Sequence, residues 1–109
     1  ELKANTAGRY SPFDNVLYIK PQKNLEEQRH TIIHELYHWK DAQEYQLKNG
    51  AIRDQGAYIR ELCKEHKKIL DGLGITGYNV SEISDYANAM YFTRRYDEVY
   101  TEYRTERVL

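Results

Sequence analysis

One cysteine, Cys63, is the entire thiol complement of this 109-residue chain. An internal disulfide is therefore excluded, and so is a structural zinc site built from clustered cysteines. No apolar run approaches the roughly 20 residues that span a bilayer, and no signal-like apolar stretch opens the chain. Neither sign of charge dominates. Seventeen acidic side chains face sixteen basic ones, so net charge singles out neither nucleic acid nor an anionic membrane as a partner. A G-x-S-x-G elbow and a phosphate-binding loop are also missing. These absences point to a soluble domain suited to a reducing cytoplasm, with no membrane and no nucleic acid among its expected partners.

Phenylalanine and tryptophan are scarce too, at two and one against eleven tyrosines. A tyrosine-rich interior is a half-wet one, because each hydroxyl needs a hydrogen-bond partner. Most of these rings are expected to cover the edges of a small core. The length suits a single domain over 1–109 and is short for two of ordinary size. A start at Glu1 rather than Met suggests a piece of a longer protein, with flanking domains possible.

The first 23 residues read as extended. In "RYSPFDNVLYIKPQ" a Pro-containing turn precedes the β-branched and aromatic run Val16 to Ile19, closed by Pro21. One or two strands are expected, the better one at Asn15 to Lys20. From Asn24 the period becomes helical. Asn24 followed by Glu27 resembles a capping box, and Ile32, Ile33, Leu36, Trp39 and Leu47 recur until Asn49-Gly50 ends a helix of about six turns. A second helix is expected from Ile52 to Leu70, followed by the glycine-rich break "DGLGITGYN". A short one is expected from Ser81-Glu82 through Met90, and a last one from Arg94 to Val108. The fold class is thus α+β: a small N-terminal sheet, then three or four helices.

Within the long helix lies "HTIIHELYHWKD", residues 30 to 41. Residues four apart on an α-helix differ by one turn and about 40° of rotation, so His34 and His38 share a face and both imidazoles can reach one ion. Zinc takes such nitrogens at about 2.0–2.1 Å, and a catalytic site adds a third protein ligand while leaving a position for water. Glu35 leans beside such an ion rather than onto it, where a general base is needed. A third ligand can come from "YDEVYTEYRTER", which places Glu98, Glu102 and Glu106 at spacings of four. If Glu98 binds the ion, Glu102 can accept a hydrogen bond from a ligand imidazole and fix its tautomer. A plain charged face neutralised by Arg94, Arg95, Arg104 and Arg107 is the simpler alternative. His30 is expected at the surface or supporting the ligands, His66 in solvent, and Cys63 in the core rather than as a nucleophile.

With "NVLYI", "HELYHWKD", "SDYA" and "EVYTEY" in this order, the chain resembles the zincin metallopeptidases. The likeness is to their glutamate-ligand branch, which includes the anthrax lethal-factor type and related domains of phage head-morphogenesis proteins. It covers roughly Asn15 to the C-terminus. It implies a zincin-like fold, a zinc ion on His34, His38 and Glu98, Glu35 as general base, and Tyr86 as the phenol that supports the oxyanion. Asp41, one turn after His38, matches an aspartate common after the motif and would support the ligands. Tyr37 stands where family members usually carry glycine. The stretch from Tyr86 to Glu98 is longer than in the lethal-factor type, so Tyr91 competes with Tyr86. The resemblance implies a zinc-dependent endopeptidase acting on peptide or protein substrates, in a bacterial host or associated with a phage. The rival expectation is a non-catalytic zincin-like module in which the metal staples a small fold. A fourth coordination position left to water marks the enzyme, and one filled by protein marks the staple.

Overall fold

The computed structural model describes residues 7–22 and 24–109; the extended reading of residues 1–6 and of Lys23 lies outside the described residues. Among the described residues the architecture is α+β, with a two-stranded antiparallel sheet and four α-helices. It divides into two compact units, the first ending at Ile52 and the second covering Arg53–Val108. No helix among the described residues is long and apolar enough to cross a membrane.

The first unit joins a hairpin to one long helix. β1 (Gly8–Ser11) pairs with β2 (Val16–Ile19) so that Gly8 faces Ile19 and Ser11 faces Val16. The turn between them brings Asn15 to φ 55, a left-handed conformation that asparagine tolerates better than most residues. α1 spans Leu25–Asn49. Its first amides are satisfied by the Asn24 side chain, which accepts from Glu26 N at 2.8 Å and Glu27 N at 3.4 Å. Glu26 and Glu27 also set negative charge at the positive end of the helix dipole. Gly50 ends it at φ 85, its amide bonded to the Gln46 carbonyl. The hairpin is tied to this helix through Asn15, whose side-chain oxygen accepts from the Tyr10 hydroxyl at 2.8 Å and from the Gln43 amide at 3.3 Å.

In the second unit α2 (Gln55–Gly72) starts three residues later than the apolar pattern predicts. Asp54 is extended and caps the Ala57 amide at 3.1 Å, which leaves Ile52 buried but outside the helix. A 3-10 turn (Val80–Glu82) and α3 (Asp85–Phe92) replace the single helix expected from Ser81, because the cap is Ser84 rather than Ser81. α4 covers Tyr96–Val108. Arg94 is not its first residue but a turn residue at φ 63. The core of this unit is Leu70, Ile75, Val80, Ala87 and Val99, with Tyr91, Tyr96, Tyr100 and Tyr103 packed against its rim. These four rings fulfil the expectation of edge-covering tyrosines, whereas Tyr58 is fully inside and Tyr78 fully outside.

Candidate metal centre

A helix on a protein surface ordinarily buries its apolar stripe. α1 does otherwise. Its buried residues are His34, Glu35, Asp41 and Ala42, while Leu36 and Trp39 are more than two-fifths exposed and Leu47 is 89 % exposed. Buried polar groups are the informative departures from hydrophobic burial, since each carries a desolvation cost that only specific partners offset.

His34, Glu35 and His38 each bring one ligand-type atom to within 4.8 Å of the others. The His34 and His38 rings lie 4.9 Å apart, centroid to centroid, at 73°. Side chains one turn apart can thus aim nitrogens at a common point. His30 is half-buried, with its ring 6.4 Å from that of His34 and nearly parallel to it. Asp41 is buried further along the same helix.

Gly8, which the sequence reading passed over, is a wall of this site. A β-carbon there would lie 2.6 Å from Thr31 Cγ2 and 3.3 Å from Glu35 Cγ, so β1 approaches α1 more closely than any side chain allows. A glycine inside a strand often marks such a close approach, and that was the available signal. Gly8→Ala is expected to destabilise the protein by about 1–3 kcal/mol through overpacking. Thermal unfolding checks this; an unchanged midpoint would mean that the hairpin yields freely.

The remaining candidates sit in the second unit. The Tyr86 hydroxyl donates to Glu98 Oε1 at 3.0 Å, and Arg95 Nη2 lies 3.6 Å from Glu98 Oε2. Glu102 is buried and accepts from Ser84 Oγ at 2.8 Å, while the same Ser84 oxygen caps the Ala87 amide. Ser84 therefore locks α3 to α4 through Glu102. Glu106, the third member of the expected acidic face, is exposed. Tyr91 packs edge-on against Phe92 and Tyr96.

One expectation changes in this unit. His66, read as solvated, is buried with its ring edge-on to Tyr100 at 4.8 Å. Cys63 is half-buried and its thiol donates to Asp97 Oδ1 at 3.2 Å, with burial pushing the thiol above its ordinary range. A raised thiol is a poor nucleophile. Asp97, almost fully enclosed, also receives a two-pronged grip from Arg95 at 3.0 and 2.9 Å. That bond holds the guanidinium charged to well above its usual range.

No protein-family model, no curated protein and no solved structure matches this chain. The chemistry of the side chains alone bears on what it does.

Proposed function

We propose that the chain is a zinc-dependent endopeptidase of zincin-like fold and glutamate-ligand type. The observation that carries this reading is the convergence of His34, Glu35 and His38 within 4.8 Å on the buried side of α1. Two imidazoles and a carboxylate are a donor set that zinc accepts. His34 and His38 would hold the ion; Glu98, the third ligand that the resemblance implies, belongs to the second unit. Glu102 serves less well, because its carboxylate already receives the Ser84 hydroxyl. Zinc supplies Lewis acidity at such a site, acidifying water and polarising a carbonyl.

Glu35 would take the proton from the attacking water and pass it to the leaving amine. Tyr86 already reaches the Glu98 carboxylate with its hydroxyl, and such a phenol donates more strongly as negative charge develops on the scissile oxygen. The Tyr91 ring, packed between Phe92 and Tyr96, is less suited to that part. Asp41 would orient a ligand imidazole. A peptide substrate would lie antiparallel along β2, adding backbone hydrogen bonds at the sheet edge.

One observation favours a second reading. The three groups that can gather on one ion include Glu35 itself, and a Glu35 bound as ligand would leave no base, only a metal that staples the fold. Elemental analysis separates these readings from each other and from coincidence. One zinc per chain is expected in the wild type, lost in His34→Ala and in His38→Ala and lost or much reduced in Glu98→Ala. In the stapling case Glu35→Gln loses zinc as well. A wild type that takes up no zinc ends both.

A further inference from the structure

The apolar side chains that α1 leaves outside fall on one face. At about 100° per residue, Leu25, Ile32, Leu36, Trp39 and Leu47 lie within a band of about 80° around the helix. Leu25 is 78 % exposed, Leu36, Trp39 and Leu47 are exposed as well, and Ile32 is half-buried. The hairpin meets α1 elsewhere. Gly8 lies against Thr31 and Glu35, which are about 140° and 100° around the helix from Leu36. Within the band, Gln43 reaches the hairpin turn through its bond to Asn15. A helix that encloses His34, Glu35 and Asp41 while it exposes its leucines has the pattern of a protein–protein surface.

The band complements itself. Leu25 and Leu47 stand eleven residues to either side of Leu36, and eleven residues return a helix to within about 20° of the same face. Two copies of α1 laid antiparallel about a two-fold axis at Leu36 set Leu36 against its counterpart and Leu25 against Leu47. The same register brings Ile32 within one residue of the level of Trp39, and Arg29 within one residue of the level of Glu44. Ile32 and Trp39 lie on one flank of the band, about 40° and 60° from Leu36, whereas Arg29 and Glu44 lie on the other, about 20° and 80° from it. An axis perpendicular to both helices faces each flank with its own counterpart, so apolar meets apolar and Arg29 meets Glu44 twice. Both charged residues are exposed, and Glu44 also takes Lys40 of its own helix at 2.7 Å. A parallel pair in register would instead set the charged flank against Ile32, Trp39 and Gln43.

We propose that α1 packs antiparallel against α1 of a second copy of this chain, making the protein a two-fold dimer. An isologous contact needs a surface that fits itself, and the leucine spacing and the Arg29–Glu44 match supply one. The dimer requires neither zinc nor peptide hydrolysis.

Sedimentation equilibrium in the high micromolar range tests it. The wild type is expected at twice the chain mass. Leu36→Glu, which sets two carboxylates against each other on the axis, should be monomeric throughout that range with its helical circular dichroism unchanged. Glu44→Arg should weaken the dimer by about fivefold or more, and Arg29→Glu combined with Glu44→Arg should restore it. Orientation is read by cross-linking in a Cys63→Ser background. Leu25→Cys chains mixed with Leu47→Cys chains are expected to form an intermolecular disulfide under air oxidation, and Leu25→Cys chains alone are not. A monomeric wild type overturns the proposal and leaves this face to a flanking segment or a different protein. A dimer that Leu36→Glu leaves intact overturns it in favour of another face, and cross-linking of Leu25→Cys with itself overturns the antiparallel arrangement.

Discussion

Exchanging Glu35 for glutamine is expected to slow peptide hydrolysis by about 10²–10⁴-fold, the range a general base contributes, while zinc uptake stays that of the wild type. The substitution keeps the shape of a side chain that rests under Gly8 and beside both histidines. Packing therefore changes little and basicity is removed. Kinetics of a quenched peptide, run beside elemental analysis of the same preparation, read the two effects separately. Loss of activity with zinc retained assigns Glu35 to proton transfer. Loss of both assigns it to the metal and favours the stapling function. Full activity with zinc retained excludes the base mechanism.

Leu70→Ala is expected to destabilise the protein by about 2–5 kcal/mol, the range for truncating a fully buried leucine. Leu70 is completely enclosed and packs with Ile75, Val80, Ala87 and Val99. That cluster is short of large aliphatic groups: two of its five members are valines and one is an alanine. Little material is available to collapse into the vacated space, so the cost should fall in the upper part of the range. Thermal denaturation followed by circular dichroism should show a midpoint lower by roughly 10 °C or more. A shift of a degree or two would show that the surrounding rings, Tyr91 and Tyr96 among them, close the gap.

Much of the scaffold is legible in the sequence. Asn24 and Gly50 bracket α1 because a side-chain acceptor at one end and a left-handed glycine at the other are local chemistry, and local chemistry is written in adjacent letters. The second unit was read less accurately for the same kind of reason. Two serines precede α3, and only the backbone shows that Ser84 is the one whose oxygen meets an amide. Asp54 and Arg94 likewise move helix starts that apolar spacing alone places too early.

The histidine pair was legible because it is periodic and adjacent. Gly8 was not, because its meaning depends on a strand meeting a helix more than twenty residues away. His66 was misjudged in the same manner, since "KEHKK" looks solvated until Tyr100 is seen against its ring.

The close approach at Gly8 also makes the hairpin and the Glu35 side chain one packed assembly. Gly8 is paired with Ile19 across the sheet and lies against Glu35 beneath it. The β2 backbone, the β1 backbone and the stem of Glu35 thus lie in series, with no side chain on Gly8 between them. A movement of the hairpin toward α1 is therefore opposed by Thr31 Cγ2 and by the Glu35 side chain. If Glu35 is the base, as proposed, a peptide strand that engages the sheet edge bears on its position through this contact.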